Sequence, residues 1–103
     1  MYYTTCRSEG DRSIALYVER LSWDEQCEDH IARHGVTFEE VEQAVGNLEY
    51  VRRSRGYYLT LGQTDAGRYL VVILDDEGDG VWHPVTARDM QRSERRLLRR
   101  KRS

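Results

Sequence analysis

The sequence predicts an α+β protein: two N-terminal helices and one C-terminal basic helix packed on a mainly antiparallel sheet of about four strands. Three observations carry that prediction. Tyr69-Leu70-Val71-Val72-Ile73-Leu74 is an unbroken apolar run, short, rich in β-branched residues and flanked by turn-formers, which marks a buried strand rather than a helix. Phe38, Val41, Ala44, Val45 and Leu48 recur at helical spacing, behind a Thr37/Glu40 pair with the spacing of a capping box. Segment 88–103 holds eight basic residues against two acidic ones, with Met90, Leu97 and Leu98 as its narrow apolar seam.

Taken in order, residues 1–13 are polar and without period, and read as a flexible tail ahead of a single domain over 14–103. Ile14–Val18 is apolar and predicts a first strand running to Leu21. Ser22 is the candidate N-cap of a first helix, with Glu25 three residues on, and that helix runs to about His34 before Gly35 supplies a left-handed stop. The second helix opens at Thr37 and ends at Gly46-Asn47. Strands follow at Glu49–Arg53, Tyr57–Leu61, Arg68–Leu74 and Val81–Ala87, with Gln63–Gly67 and Gly78–Gly80 as reversals. Pro84 cannot donate to a ladder, so it marks an edge or a bulge. The basic helix begins near Asp89.

Composition bounds the function. The 103 residues are 39% hydrophobic and 33% charged, which suits one domain with a modest core. The net charge of −2 conceals a segregation, because segment 88–103 carries +6 and the remainder −8. Such asymmetry points to an anionic partner for the tail or a basic partner for the body. No apolar stretch approaches the roughly 20 residues of a membrane span, and no N-terminal apolar core of roughly 7–15 residues marks a signal peptide. A cytoplasmic protein without a membrane partner is expected. Cys6 and Cys27 are expected as free thiols.

The residues that carry chemistry are scattered. Arg92, Arg95, Arg96, Arg99 and Arg102 lie three and four apart, so a broad helix face is guanidinium, suited to phosphate oxygens; the plainer reading is a solvated helix end whose cations oppose the dipole. Cys27, His30 and His34 fall on one helix face at metal-ligand spacing, but nothing supplies a fourth ligand, and no metal or cofactor is expected. His34 reads equally as a packed helix-end histidine or as a functional one. His83 shares a face with Val81 and Val85 if the strand pleats regularly. Arg88 closes that strand beside the basic helix. A histidine and an arginine so placed can handle a phosphodiester, one moving a proton and the other stabilising charge. Tyr57 and Tyr58 offer a phenol or a stacking surface, against the plainer reading of strand packing.

Several pieces together resemble the BrnT family of bacterial toxins over about residues 20–100: Trp23-Asp24-Glu25, His30 through Glu40, Leu61-Gly62, Gly67 through Val72, Thr86-Ala87-Arg88 and Glu94-Arg95-Arg96. The stretch His34-Gly35-Val36 with Phe38-Glu39-Glu40, and Ala87-Arg88 ahead of an arginine-rich helix, are its most specific parts. The resemblance implies a RelE-like ribonuclease fold and a type II toxin that cuts RNA. It also implies a ribbon-helix-helix antitoxin of the BrnA type, in a heterotetramer that represses the shared operon. The sequence departs from the family where a lysine follows the Trp-Asp, since Gln26 and Cys27 stand there with one residue fewer before His-Gly. Arg33 replaces the lysine before His-Gly, and Tyr57 and His83 align with family arginines.

Two functional expectations follow. In the first, the chain is a metal-independent endoribonuclease: Arg68, Arg92, Arg95, Arg96 and Arg99 hold RNA, Arg88 and Arg92 hold the scissile phosphate, His83 or His34 is the general base or acid, and Tyr57 is a further proton donor. In the second, the chain is a non-catalytic relative that engages an antitoxin or nucleic acid through its basic helix.

Overall fold

The computed structural model describes the backbone of residues 2–8 and 13–102, and the side chains of residues 16–100. It is an α+β fold. The strands are β1 (Tyr2–Ser8), β2 (Ser13–Val18), β3 (Arg20–Leu21), β4 (Leu48–Ser54), β5 (Tyr57–Gln63), β6 (Tyr69–Gly78) and β7 (Val81–Asp89), and the helices are α1 (Glu25–Ala32), α2 (Phe38–Gly46) and α3 (Arg92–Arg102). The sheet runs β2-β1-β4-β5-β6-β7-β3. Its pairs are antiparallel except β1 with β4 and β3 with β7.

The sheet is wider than the sequence suggested. Residues 2–8, expected as part of a loose tail, form β1 against β2 and extend to β4 at Arg7 and Ser8. Tertiary pairing supplies the backbone partners that a polar stretch without period does not advertise. The expected first strand divides at Glu19, whose backbone N–H turns to donate to the Gly80 carbonyl at 2.8 Å. Since β2 and β3 end the sheet on opposite sides yet adjoin in sequence, the sheet curls back on itself.

The apolar run of β6 sits between β5 and β7 and is clad on both faces. Leu70, Val72 and Leu74 face a core built with Ile31, Val36, Val41, Ala44 and Val45 of the α1–α2 layer. Val71 and Ile73 face a second core with Tyr50, Leu61, Met90, Leu97 and Leu98, under α3. A strand apolar on both sides needs such double cover.

The ends of the helices follow local chemistry modified by the sheet. α2 begins as expected, with Glu40 N–H donating to Thr37 Oγ1 and Thr37 N–H to Glu40 Oε1. α1 does not begin at Ser22. The Ser22 N–H donates to Trp82 O as pairing with β7 continues, and its hydroxyl donates to Glu77 Oε1 at 2.7 Å. The cap passes to Asp24, whose Oδ1 accepts from Cys27 N–H at 2.7 Å. α1 stops at Ala32, short of His34, and α3 starts at Arg92 because Asp89 still belongs to β7.

The hairpin turns that precede β5 and β7 are two-residue reversals with left-handed backbone. Arg55 and Gly56 have φ 53° and 83°, and Asp79 and Gly80 have φ 54° and 78°, the conformation that matches strand twist. Pro84 sits at a bulge: Thr86 faces Ile73 and Pro84 faces Leu74, so Val85 is the extra residue.

Candidate nucleic-acid interface

The face of the sheet under α3 gathers most of the sequence-predicted groups. Residues opposite one another across a ladder point to the same side. Val71 of the α3 core pairs with Leu61 on one side and Arg88 on the other, and Leu61 pairs with Tyr50. The next row on this face is Arg52, Leu59, Ile73 and Thr86. One row further, Ser54 pairs with Tyr57, and Asp75 pairs with His83. Tyr57 is 43% exposed at the open end of this face. Thus Arg88, Tyr57 and the helix that carries Arg92, Arg95, Arg96 and Arg99 share one side of the molecule. Arg52 and Thr86 belong there too. Thr86 belongs to the Thr86-Ala87-Arg88 motif, whereas Arg52 has no motif to mark it, although it stands at i+2 from Tyr50 and strand alternation predicts a common face.

α3 is positioned by its apolar seam and its first turn. Leu98 is buried against the sheet and Leu97 packs beside it. Glu94 reaches back to accept from Gln91 N–H at 2.7 Å, closing the first turn. Arg92, Arg95, Arg96, Arg99 and Arg100 stay exposed. The Arg95 guanidinium lies 5.0 Å from the centre of the Tyr69 ring, a cation–π contact. Tyr69, Arg95, Leu98 and Arg99 line one shallow depression, and Gly67, Arg68, Asp89 and Met90 continue it as the wall of its neighbour. An aromatic ring flanked by guanidinium groups in a shallow depression suits a phosphate chain with unstacked bases.

Arg88 and Arg68 are held by carboxylates of the fold. Arg88 Nη1 and Nη2 donate to Glu94 Oε1 and Oε2 at 2.8 and 2.7 Å, a fork-on-fork contact. Burial pushes the Glu94 carboxyl up, but hydrogen bonds from Arg88 and Gln91 and the charges of Arg88 and Arg52 outweigh it, so it stays ionised below its usual range. The hydrogen bonds that Arg88 donates to Glu94 raise Arg88 in turn. Any phosphate at Arg88 therefore competes with an intramolecular carboxylate.

Arg68, assigned to RNA by the sequence, is a structural hub. Its Nε and Nη2 donate to Asp89 at 2.7 and 3.0 Å, while Nη1 donates to the Gly35 carbonyl and to Glu40. It ties the α1–α2 turn and the start of α2 to the end of β7. Asp89 lies below its ordinary 3.8 through the hydrogen bonds from Arg68, and Glu40 lies below 4.5 through the Thr37 N–H and then Arg68. Both carboxyls are depressed on folding, so their contribution is complete above those ordinary values and is lost as pH falls through the folded ones. Replacing Arg68 by alanine is expected to cost about 1–2 kcal/mol at neutral pH, a figure kept small because the pair is partly exposed. The difference from the parent should shrink below about pH 4, as urea denaturation across pH will measure. A constant difference across that range would sink the assignment.

The histidines part company with this face. His34 is exposed beyond the end of α1, its ring 5.4 Å from that of His30, in the layer on the other side of the sheet. His83 pairs with Asp75 in the ladder, but its ring is drawn to the edge: Nδ1 lies 3.2 Å from the Ser22 carbonyl oxygen and Nε2 lies 3.8 Å from Asp24 Oδ2. Val81, His83 and Val85 lie on the less buried side of β7, as alternation predicts, since the bulge falls only between Val85 and Thr86, and His83 and Val85 line one opening with Asp24, Gln26, Cys27 and His30. The three candidate ligands Cys27, His30 and His34, from which no metal site is expected, do not come together, since Cys27 is joined to Asp24 and His83, and His34 to His30.

No family model matches the chain, and no curated protein matches it. Among the described residues, no helix is long and apolar enough to cross a membrane.

Proposed function

We propose that this protein is a BrnT-like toxin with a RelE-like fold, acting on RNA as a metal-independent endoribonuclease, with an antitoxin of the ribbon-helix-helix BrnA type as its partner. The observation that carries this reading is the common sheet face on which Arg52, Tyr57, Thr86 and Arg88 stand beside the guanidinium face of α3. RNA lies along α3 with a base on Tyr69, and its backbone crosses toward Tyr57. Arg52 and Arg88 neutralise the phosphate under attack by the adjacent 2′-hydroxyl. The Tyr57 phenol protonates the departing 5′ oxygen, and the Asp75 carboxylate in the same sheet row takes the 2′ proton. Positioned charges and one acid–base pair suffice for such a transfer.

Induced expression of the chain alone should arrest bacterial growth and fragment total RNA, and co-expression of the cognate antitoxin should relieve both. Tyr57→Phe should slow cleavage about 10²-fold or more, as loss of a general acid does. Glu94→Gln, which weakens the hold on Arg88, should speed it. Intact RNA from cells holding soluble, folded protein would overturn the catalytic assignment.

A second reading rests on the carboxylate partners of Arg88 and Arg68. With both guanidinium groups engaged internally, the chain is a non-catalytic module that binds RNA or an antitoxin through α3. Its mark is salt-sensitive RNA binding without cleavage, unchanged by Tyr57→Phe.

A further inference from the structure

The edge of the sheet where α1 begins brings together three metal-ligating side chains that the RNA face does not use. Asp24 caps α1, Cys27 occupies the third position of that helix, and His83 comes across from β7. One donor atom from each lies within 4.8 Å of the others. We propose that Asp24, Cys27 and His83 form a site for a thiophilic divalent transition ion of the zinc class, bound through a carboxylate oxygen, Sγ and Nε2.

The geometry of the histidine argues for this. Nδ1 stands 3.2 Å from the Ser22 carbonyl oxygen, which only accepts, and 3.3 Å from Ser22 Oγ, whose own proton goes to Glu77, so both contacts suit a proton on Nδ1. Nε2 is left to face the Asp24 carboxylate at 3.8 Å, beyond direct hydrogen-bond reach. Metal-binding imidazoles are held in this way, by donating their other N–H to a carbonyl or carboxylate behind them. A tetrahedral ion with bonds of roughly 2.0–2.3 Å spaces its donors about 3.3–3.8 Å apart. The nitrogen and oxygen stand 3.8 Å apart, at the wide end of that range, and the sulfur lies within 4.8 Å of both, so a modest closing of the three side chains completes the set.

The sulfur has a second role in the free protein. Cys27 Sγ donates to the Asp24 carbonyl at 3.3 Å and accepts from the Asp24 N–H at 3.4 Å, replacing the glutamate of an ordinary capping box. Burial pushes the thiol up, so it is protonated until an ion displaces that proton to solvent and takes up the thiolate. The positive end of α1 opposes a cation, and Glu25 and Glu28 in its first turn offset that field. His30 and Gln26 line the same opening, leaving room for a fourth donor or a water. A set of carboxylate, thiolate and imidazole favours zinc, cobalt or nickel over magnesium or calcium.

The test uses the full chain carrying Cys6→Ser, so that Cys27 is its one thiol. Cobalt(II) chloride is titrated in, followed by zinc chloride as competitor. One ion per chain should bind with a thiolate-to-cobalt charge-transfer absorption that zinc abolishes. His83→Gln should weaken binding at least about 100-fold, and Asp24→Asn, which keeps an N-cap oxygen, should weaken it about tenfold, with circular dichroism confirming the fold of each. A folded parent without the absorption, or an absorption that survives both substitutions, would overturn the site and leave an ordinary histidine–aspartate ion pair. The readout is metal binding alone, so the result stands apart from the ribonuclease reading.

Discussion

Gly62→Ala is expected to destabilise the protein by about 3 kcal/mol or more, lowering Tm by roughly 10–20 °C for a domain of this size. Gly62 lies in β5 beneath α2, and a Cβ there would come to 2.2 Å from the Ala44 carbonyl oxygen and 2.9 Å from its carbon. Both are backbone atoms of a helix held by Val41, Val45 and the Thr37 cap, so the contact cannot be relieved by turning a side chain. The helix must lift, and lifting it opens the core it shares with Leu70 and Val72. Gly46→Ala is the matched control, because no atom lies within 4 Å of the Cβ it would add. That substitution should be neutral or stabilising by up to about 1 kcal/mol. Thermal unfolding of the pair decides the matter: a Gly62→Ala protein as stable as its parent would mean that α2 does not rest on β5 as described.

Replacing Arg92, Arg95, Arg96 and Arg99 together with glutamine is expected to lower affinity for single-stranded RNA by roughly 10²-fold at physiological salt, because each lost phosphate contact removes about 0.7 from the slope of log affinity against log salt. All four residues are exposed, and glutamine keeps helix propensity close to that of arginine, so α3 should stay seated through Leu97 and Leu98. Arg95 adds a term of its own, since its guanidinium also covers the Tyr69 ring and holds the stacking surface in place. Fluorescence anisotropy with a labelled oligoribonucleotide over a range of salt concentrations gives both quantities. An unchanged slope would show that α3 is a solvated helix end whose cations only oppose the dipole. Antitoxin binding would then be the remaining role for the basic helix.

Features that depend on near neighbours are legible in the chain alone. The Thr37/Glu40 box, the buried run of β6, the Gly78–Gly80 reversal and the basic character of α3 each rest on residues within one or two turns of chain. Local hydrogen bonding and side-chain period set them before any tertiary contact forms. Pro84 marks an edge or a bulge, and the ladder register chooses the bulge. Features that depend on distant partners emerge only on folding. Ser22 resembles an N-cap as well as Asp24 does, and only pairing of β3 with β7 removes Ser22 from the competition. Arg68 and Arg88 read as free cations until Glu40, Asp89 and Glu94 are brought to them. A guanidinium's availability depends on which carboxylates the fold delivers, and spacing along the chain does not encode that. Tyr57, Arg52 and Arg88 share one face through strand register, while the His83 ring, across the ladder from Asp75, is drawn to the sheet edge where Ser22 offers a carbonyl. The meeting of Cys27 with His83 has the same origin: the two lie far apart in sequence, and a parallel contact between β3 and β7 delivers the start of α1 to that edge of the sheet.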